Sequence, residues 1–103
     1  MGWHVAARSG DLQDGSVLGA DVNGVQVALY RIDGTVHATS NICTHEVALL
    51  SDGYLDGDCI ECPLHQAVFH VPTGEVRSAP ATEPILTYPA KEEADQILVE
   101  LPD

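Results

Sequence analysis

The sequence predicts a small all-β domain, an antiparallel sandwich or barrel with a loop-rich subdomain inserted in its middle third. Three observations predict this class. Short apolar runs alternate with turn signals every 8–12 residues or so, as in sandwiches and small barrels. Asn23-Gly24 separates two such runs, and this dipeptide is the strongest short-range signal of a β-hairpin. No window shows a long 3.6-residue apolar period of the kind an amphipathic helix would have.

The first forty residues predict a meander of strands. The turns are Asn23-Gly24 and Asp33-Gly34, both of which suit the positive φ angles of tight hairpins. Leu18, Ala20 and Val22 alternate with other residues and are expected to share one face. The strands expected here are Trp3–Ala7, Val17–Val22, Val25–Ile32 and Thr35–Ser40.

The rest of the chain divides into a loop-rich middle and a terminal hairpin. The middle, about residues 41–80, contains all three cysteines, and we expect it to form a subdomain within a single domain of residues 1–103. Thr87–Glu92 and Gln96–Leu101 are predicted to pair, with Pro89 making the first an edge strand or a bulge. Short strands are expected in the middle at Cys59–Glu61, Val68–Val71 and Glu75–Ser78.

The net charge of the chain limits the classes of partner that it is expected to bind. Four Lys and Arg residues face sixteen Asp and Glu residues, for a formal net charge of −12. Nucleic acids and anionic membranes are therefore not expected as partners, because binding to either needs clustered cations. The sequence has neither a long apolar run nor a secretory signal, so we expect a cytoplasmic protein. The acidity is explained equally well by solubility and by electrostatic attraction to a basic partner.

Two short segments carry the chemistry. They are Cys43-Thr44-His45 and Cys62-Pro63-Leu64-His65, with sixteen residues between His45 and Cys62. Each segment supplies one sulfur and one imidazole, so a pair of loops could bind a centre of two metal ions, with both thiolates on one ion and both imidazoles on the other. This is the ligation of a 2Fe–2S cluster in which two histidines replace two cysteines on one iron. A zinc site is the alternative, but zinc fingers place paired cysteines in one segment and paired histidines in another.

The motif Cys-x-His, sixteen residues, Cys-x-x-His resembles the signature of the Rieske iron–sulfur proteins. Nearly the whole chain is similar to the Rieske ferredoxins of bacterial aromatic-ring-hydroxylating dioxygenases, most of all to the naphthalene-dioxygenase type. Other segments that carry the resemblance are Leu29-Tyr30, Asp33-Gly34, Ser51-Asp52-Gly53-Tyr54-Leu55, Phe69, Thr73-Gly74 and Thr87-Tyr88-Pro89.

This resemblance implies a Rieske fold, one 2Fe–2S cluster and a role in aromatic hydrocarbon catabolism. It implies that Cys43 and Cys62 bind the inner iron, and that His45 and His65 bind the outer iron. The chain would be a monomeric electron carrier and not an enzyme, accepting electrons from a flavin-dependent ferredoxin reductase and passing them to a terminal oxygenase. Two alternatives stay open: a binding or regulatory module without a cluster, like the small subunit of some nitrite reductases, and the ferredoxin of a salicylate or nitroarene oxygenase.

The resemblance also bears on the redox potential. High-potential relatives link the two cluster loops by a disulfide, at positions that are Ala48 and Leu64 in this chain. They also direct a serine and a tyrosine hydroxyl at a sulfur atom, at positions that are Ala67 and Phe69 here. A low potential is therefore expected.

The remaining candidate residues are given structural roles. Cys59 forms Cys-x-x-Cys with Cys62, but the strand pattern predicts a buried or half-buried thiol in a strand. Trp3 and Phe69 are predicted to be core aromatics. His37 and His70 are predicted to be surface histidines, His37 on the solvent face of its strand.

Overall fold

The structure is a computed structural model that describes residues 2–43, 48–63, 67–78 and 83–102. Within these ranges it contains β-strands and two 3-10 turns, at Ser9–Asp11 and Leu50–Asp52, and no α-helix. No described segment is a helix of the length and apolar character needed to cross a bilayer. In chain order the strands are β1 (Gly2–Arg8), β2 (Val17–Val22), β3 (Val25–Ile32), β4 (Thr35–Ser40), β5 (Tyr54–Asp56), β6 (Cys59–Glu61), β7 (Val68–His70), β8 (Val76–Ser78), β9 (Thr87–Tyr88), β10 (Ala90–Glu93) and β11 (Gln96–Leu101).

The strands form three antiparallel sheets, which confirms the all-β prediction. The terminal sheet has the order β1-β11-β10, the hairpin sheet β2-β3-β4-β9, and the inserted sheet β5-β6-β7-β8. Asn23 and Gly24 have φ angles of 54° and 86°, and the strands on either side pair from Val22 and Val25 onward. Both turn residues take positive φ, which is why Asn-Gly specifies this hairpin.

Strand β3 is buried on both faces and separates two cores. Val27 and Leu29 belong to the core between the hairpin and terminal sheets, together with Ile97 and Val99 of β11. Ala28 and Tyr30 belong to the core that the hairpin sheet shares with the inserted sheet. Because successive side chains on a strand point to opposite faces, one nearly continuous apolar run serves both cores.

Three details of the predicted strands are revised. The stretch predicted as one strand from Thr87 is divided at Pro89, which lacks an N–H for the ladder, into β9 in the hairpin sheet and β10 in the terminal sheet. Strand β5 was not predicted, because three residues are too few to show a period-two pattern in the sequence. Trp3 was predicted to be in the core but is 39% exposed, with the Lys91 ammonium 4.4 Å from the centre of its ring.

Candidate metal centre

Two buried cysteines lie at the starts of two loops. Cys43 follows β4 and is 3% exposed, and Cys62 follows β6 and is fully buried. Both belong to the core between the hairpin and inserted sheets. Their predicted partners, His45 and His65, lie outside the described residues, so the four-residue ligand set stays a prediction.

The two loops are closed in the same way. The N–H of Cys43 donates to the carbonyl oxygen of Ala48 at 2.9 Å, and the N–H of Cys62 donates to that of Ala67 at 2.7 Å. In both cases the hydrogen bond joins the cysteine to the residue five positions later. The backbone of each cysteine is therefore fixed at the base of its own loop, and the two bases are structurally equivalent.

The surroundings of the cysteines are apolar. Tyr30, Leu50, Ile60 and Phe69 pack in the same core, and all four are fully buried. Tyr30 shares a 2.8 Å hydrogen bond with the Thr39 hydroxyl, and burial raises the pKa of its phenol, so it stays neutral. A metal ion bound here would be shielded from water on its inner side.

The donor set fits a thiolate-bound metal centre. Soft sulfur ligands select zinc, copper(I) or iron–sulfur clusters. Two buried thiols, one at the base of each of two equivalent loops, supply one half of such a site. By themselves Cys43 and Cys62 do not distinguish an iron–sulfur cluster from zinc.

The third cysteine has a different environment. Cys59 is half-buried on β6, opposite His70 on β7, and its thiol donates to an Asp58 carboxylate oxygen at 3.6 Å. Burial, and then the neighbouring Asp58, raise the pKa of the Cys59 thiol and keep it protonated. The prediction of a half-buried strand thiol is confirmed.

Both histidines predicted to be on the surface are partly enclosed. The His70 side chain is only 16% exposed, with Nε2 2.9 Å from Asp58 Oδ2 and Nδ1 2.8 Å from Thr73 Oγ1. His70 therefore joins the turns before β6 and after β7, and the prediction of a plain surface histidine is wrong. His37 is half-buried, and burial, followed by the charge of His70, lowers its pKa.

Comparison with known proteins identifies the kind of centre. Residues 2–89 match the Rieske [2Fe-2S] domain. The chain belongs to this family. Family membership favours an iron–sulfur cluster of the Rieske type over zinc. It also indicates that the two equivalent loops bind the same cluster.

The relatives of this Rieske chain include ferredoxins over their full length. It is 48% identical over 99 residues to the ferredoxin component of the naphthalene 1,2-dioxygenase system of Pseudomonas putida, covering 96% of this chain and 95% of that protein. The ferredoxin of Sphingomonas yanoikuyae B1 superposes with a TM-score of 0.90 at 35% identity, covering 95% of this chain and 97% of that one. A chain in the complex of reduced oxygenase and oxidised ferredoxin of carbazole 1,9a-dioxygenase has a TM-score of 0.88 at 36% identity, covering 94% and 91%.

Proposed function

We propose that this protein is the ferredoxin component of an aromatic-ring-hydroxylating dioxygenase system, and that it carries electrons one at a time on a single Rieske 2Fe–2S cluster. The observation that carries the proposal is the pair of buried cysteines at equivalent loop bases, within a motif that adds one histidine to each loop. Near-full-length similarity to ferredoxin components supports the assignment to a carrier and not to an oxygenase.

Different residues of the chain would bind the two iron atoms of the cluster. Cys43 and Cys62 would bind the inner iron as thiolates, and His45 and His65 the outer iron through neutral imidazoles. When bound, such a cluster takes up and releases a single electron. The apolar core beneath the cysteines keeps water from the inner side, and the two closed loop bases keep the cysteine backbones fixed. Fixed ligands limit the reorganisation that accompanies electron transfer.

The partners follow from the named relatives. We infer a flavin-dependent ferredoxin reductase as electron donor and a terminal Rieske non-haem-iron oxygenase as acceptor. The complex of oxygenase and ferredoxin in carbazole 1,9a-dioxygenase supports the second of these. We further propose a monomeric protein of the cytoplasm.

Reconstitution tests the proposal. The purified protein is expected to be red-brown and to contain two iron atoms and two acid-labile sulfides per chain. Added to a reductase and a naphthalene-type oxygenase, it should support product formation at substoichiometric concentration, because a carrier turns over. A colourless protein, or one that contains zinc, would contradict the proposal.

A further inference from the structure

The two cysteine loops differ in the backbone pairing of the residues that flank them. The Cys62 loop stands on a regular hairpin in which β6 and β7 pair from Glu61 and Val68 through Cys59 and His70. Strand β4 ends at Ser40, and beyond it the arms of the Cys43 loop share one isolated bridge, between Ile42 and Leu49. Among the described residues, the first loop therefore has a shorter backbone ladder beneath it than the second.

The side chain of Asn41 adds hydrogen bonds where the backbone ladder beneath the Cys43 loop is short. Its Nδ2 donates to Ser51 Oγ at 2.9 Å, and its Oδ1 accepts from the N–H of Ser51 at 2.8 Å. Of the backbone groups of Asn41, the carbonyl oxygen accepts from the N–H of Leu50 at 2.9 Å, as part of the Ile42–Leu49 bridge, and the N–H donates to the carbonyl oxygen of Gln26 in β3 at 2.9 Å. Asn41 is 1% exposed, so these bonds are shielded from competing water.

Gly19 in β2 lies directly against the Asn41 and Ser51 side chains. A Cβ atom at position 19 would lie 2.7 Å from Ser51 Oγ and 3.0 Å from Asn41 Nδ2. Both distances are shorter than ordinary van der Waals contact, so a side chain here would require the Ser51 hydroxyl to shift and would disturb its hydrogen bond from Asn41 Nδ2. Gly19 therefore leaves the space that the Ser51 hydroxyl occupies in this hydrogen bond.

We propose that Asn41 and Ser51 are positioning residues that fix the Cys43 loop against the hairpin sheet, and that Gly19 leaves the space in which their hydrogen bond forms. The inference rests on the proposed function, because it takes Cys43 to be a cluster ligand. Loss of the side-chain pair would leave the Cys43 loop with its single bridge and the backbone hydrogen bond from Asn41 to Gln26, while the Cys62 loop keeps its hairpin. The distance between the two cysteines would then vary, and iron would be released more readily.

The test compares four variants of the loaded protein with the wild type. Ser51→Ala removes the Oγ acceptor and leaves Asn41 Nδ2 without that partner, and Gly19→Ala forces the Ser51 hydroxyl to shift away from the new methyl group. Each should release iron to a chelator about tenfold faster, the effect of losing one buried hydrogen bond. The double variant should be less than additive, because Ser51→Ala removes the atom nearest the new methyl group. Gly2→Ala is the matched control, since a Cβ there meets nothing within 4 Å.

A second control separates positioning from general stability. Ile97→Val removes a methyl group from the other core, which contains neither cysteine. At an equal fall in melting temperature, Ser51→Ala should release iron faster than Ile97→Val and should alone alter the electron paramagnetic resonance spectrum of the reduced protein. Ser51→Ala carries the test if Gly19→Ala does not fold.

The outcomes also distinguish this inference from the proposed function. A wild-type protein that contains no iron–sulfur cluster would overturn both. A wild type with its cluster, and Ser51→Ala and Gly19→Ala variants that release iron at the rate of Gly2→Ala, would overturn the positioning role alone. An unchanged resonance spectrum with iron release no faster than in Ile97→Val would also overturn it.

Discussion

Arg31 and Glu92 form a two-bonded ion pair, with N–O distances of 2.9 and 2.8 Å, that joins the hairpin sheet to the terminal sheet. The guanidinium also donates through Nε to the carbonyl oxygen of Leu12 at 2.9 Å. One side chain thus connects β3, β10 and the segment before β2. The guanidinium of Arg31 holds the pKa of Glu92 at about 2, below its usual value of 4.5.

This ion pair should make stability depend on pH. The pKa of Glu92 is lower in the folded protein than in the unfolded chain, so the stabilisation is complete above about pH 4.5 and is lost as the pH falls towards 2. Glu92→Gln should lower the melting temperature at pH 7, and its difference from the wild type should shrink below pH 4.5. Glu93→Gln is the control, since Glu93 is 62% exposed and its contact with Lys91 is 3.6 Å long. A constant difference between wild type and Glu92→Gln from pH 7 to pH 3 would contradict this assignment.

Much of the fold could be predicted because its turns and strands are encoded locally. Asn23-Gly24 fixes a hairpin by its positive φ angles, and the alternation of Ile97, Val99 and Leu101 places one face of β11 in the core. Trp3 and His70 were misjudged because their environments come from distant parts of the chain. Trp3 lies beside Lys91, and His70 is enclosed by Asp58.

The candidate site also combines features that are visible in the sequence with contacts that form only in the folded chain. The spacing of the four proposed ligand residues could be read from the sequence. The roles of Asn41, Ser51 and Gly19 could not, because Gly19 meets the other two only after β2 packs against the Cys43 loop. An asparagine two residues before a cysteine is the one signal present, and by itself it predicts no contact.

Serine substitutions should separate the cluster cysteines from the third cysteine. Cys43→Ser and Cys62→Ser should each lose most of the iron, because a hydroxyl is a much poorer ligand than a thiolate for iron in such a centre. Cys59→Ser should keep its iron, since the Cys59 thiol contacts Asp58. Iron analysis and visible absorption of the three variants measure this. Loss of colour in Cys59→Ser, with colour kept in Cys43→Ser, would reverse the assignment.

Gly53 connects the two cysteine loops, and its substitution should damage both. A Cβ at this position would overlap the backbone carbonyl of Glu61, the residue directly before Cys62. Backbone atoms cannot move aside as the end of a flexible side chain can. Gly53→Ala should therefore cost about 1–3 kcal/mol of folding free energy and also lower the iron content. Denaturant unfolding and iron analysis measure both effects, with Gly10→Ala, where a Cβ meets nothing within 4 Å, as control. Equal behaviour of the two variants would contradict the close approach.

The acidity of the chain should speed its encounter with basic partners. The charges of two ferric ions, two sulfides and two thiolates cancel, so the oxidised cluster leaves the formal charge at −12. Electron-transfer rates at subsaturating partner should therefore fall as added salt shortens the Debye length from about 10 Å to about 3 Å. Glu61→Gln, next to Cys62, should weaken this dependence more than Asp95→Asn in the terminal hairpin. Rates that do not change with salt would leave solubility as the explanation of the charge.

The redox potential should be low for a Rieske centre. Ala67 and Phe69 are both fully buried next to the Cys62 loop, and neither carries a hydroxyl that could donate to a sulfur. Without such donors the additional negative charge of the reduced cluster is less stabilised, so reduction is harder. Within the general range for Rieske centres we expect a value near −150 mV and not near +300 mV, although the two imidazoles keep it above that of a plant-type ferredoxin.

Substitutions that add a hydroxyl test the cause of this low potential. Ala67→Ser and Phe69→Tyr should each raise the midpoint potential, provided that the new hydroxyl reaches its sulfur. Val71→Thr is the matched control: Val71 is 1% exposed in the same core but lies beyond β7, farther along the chain from Cys62 than either test position, so its added hydroxyl should leave the potential unchanged. Direct electrochemical titration of the wild type and the three variants gives the values. A wild-type potential well above zero would refute this account, because a disulfide between the loops is also excluded by Ala48 and Leu64 and nothing else in the sequence would supply the stabilisation.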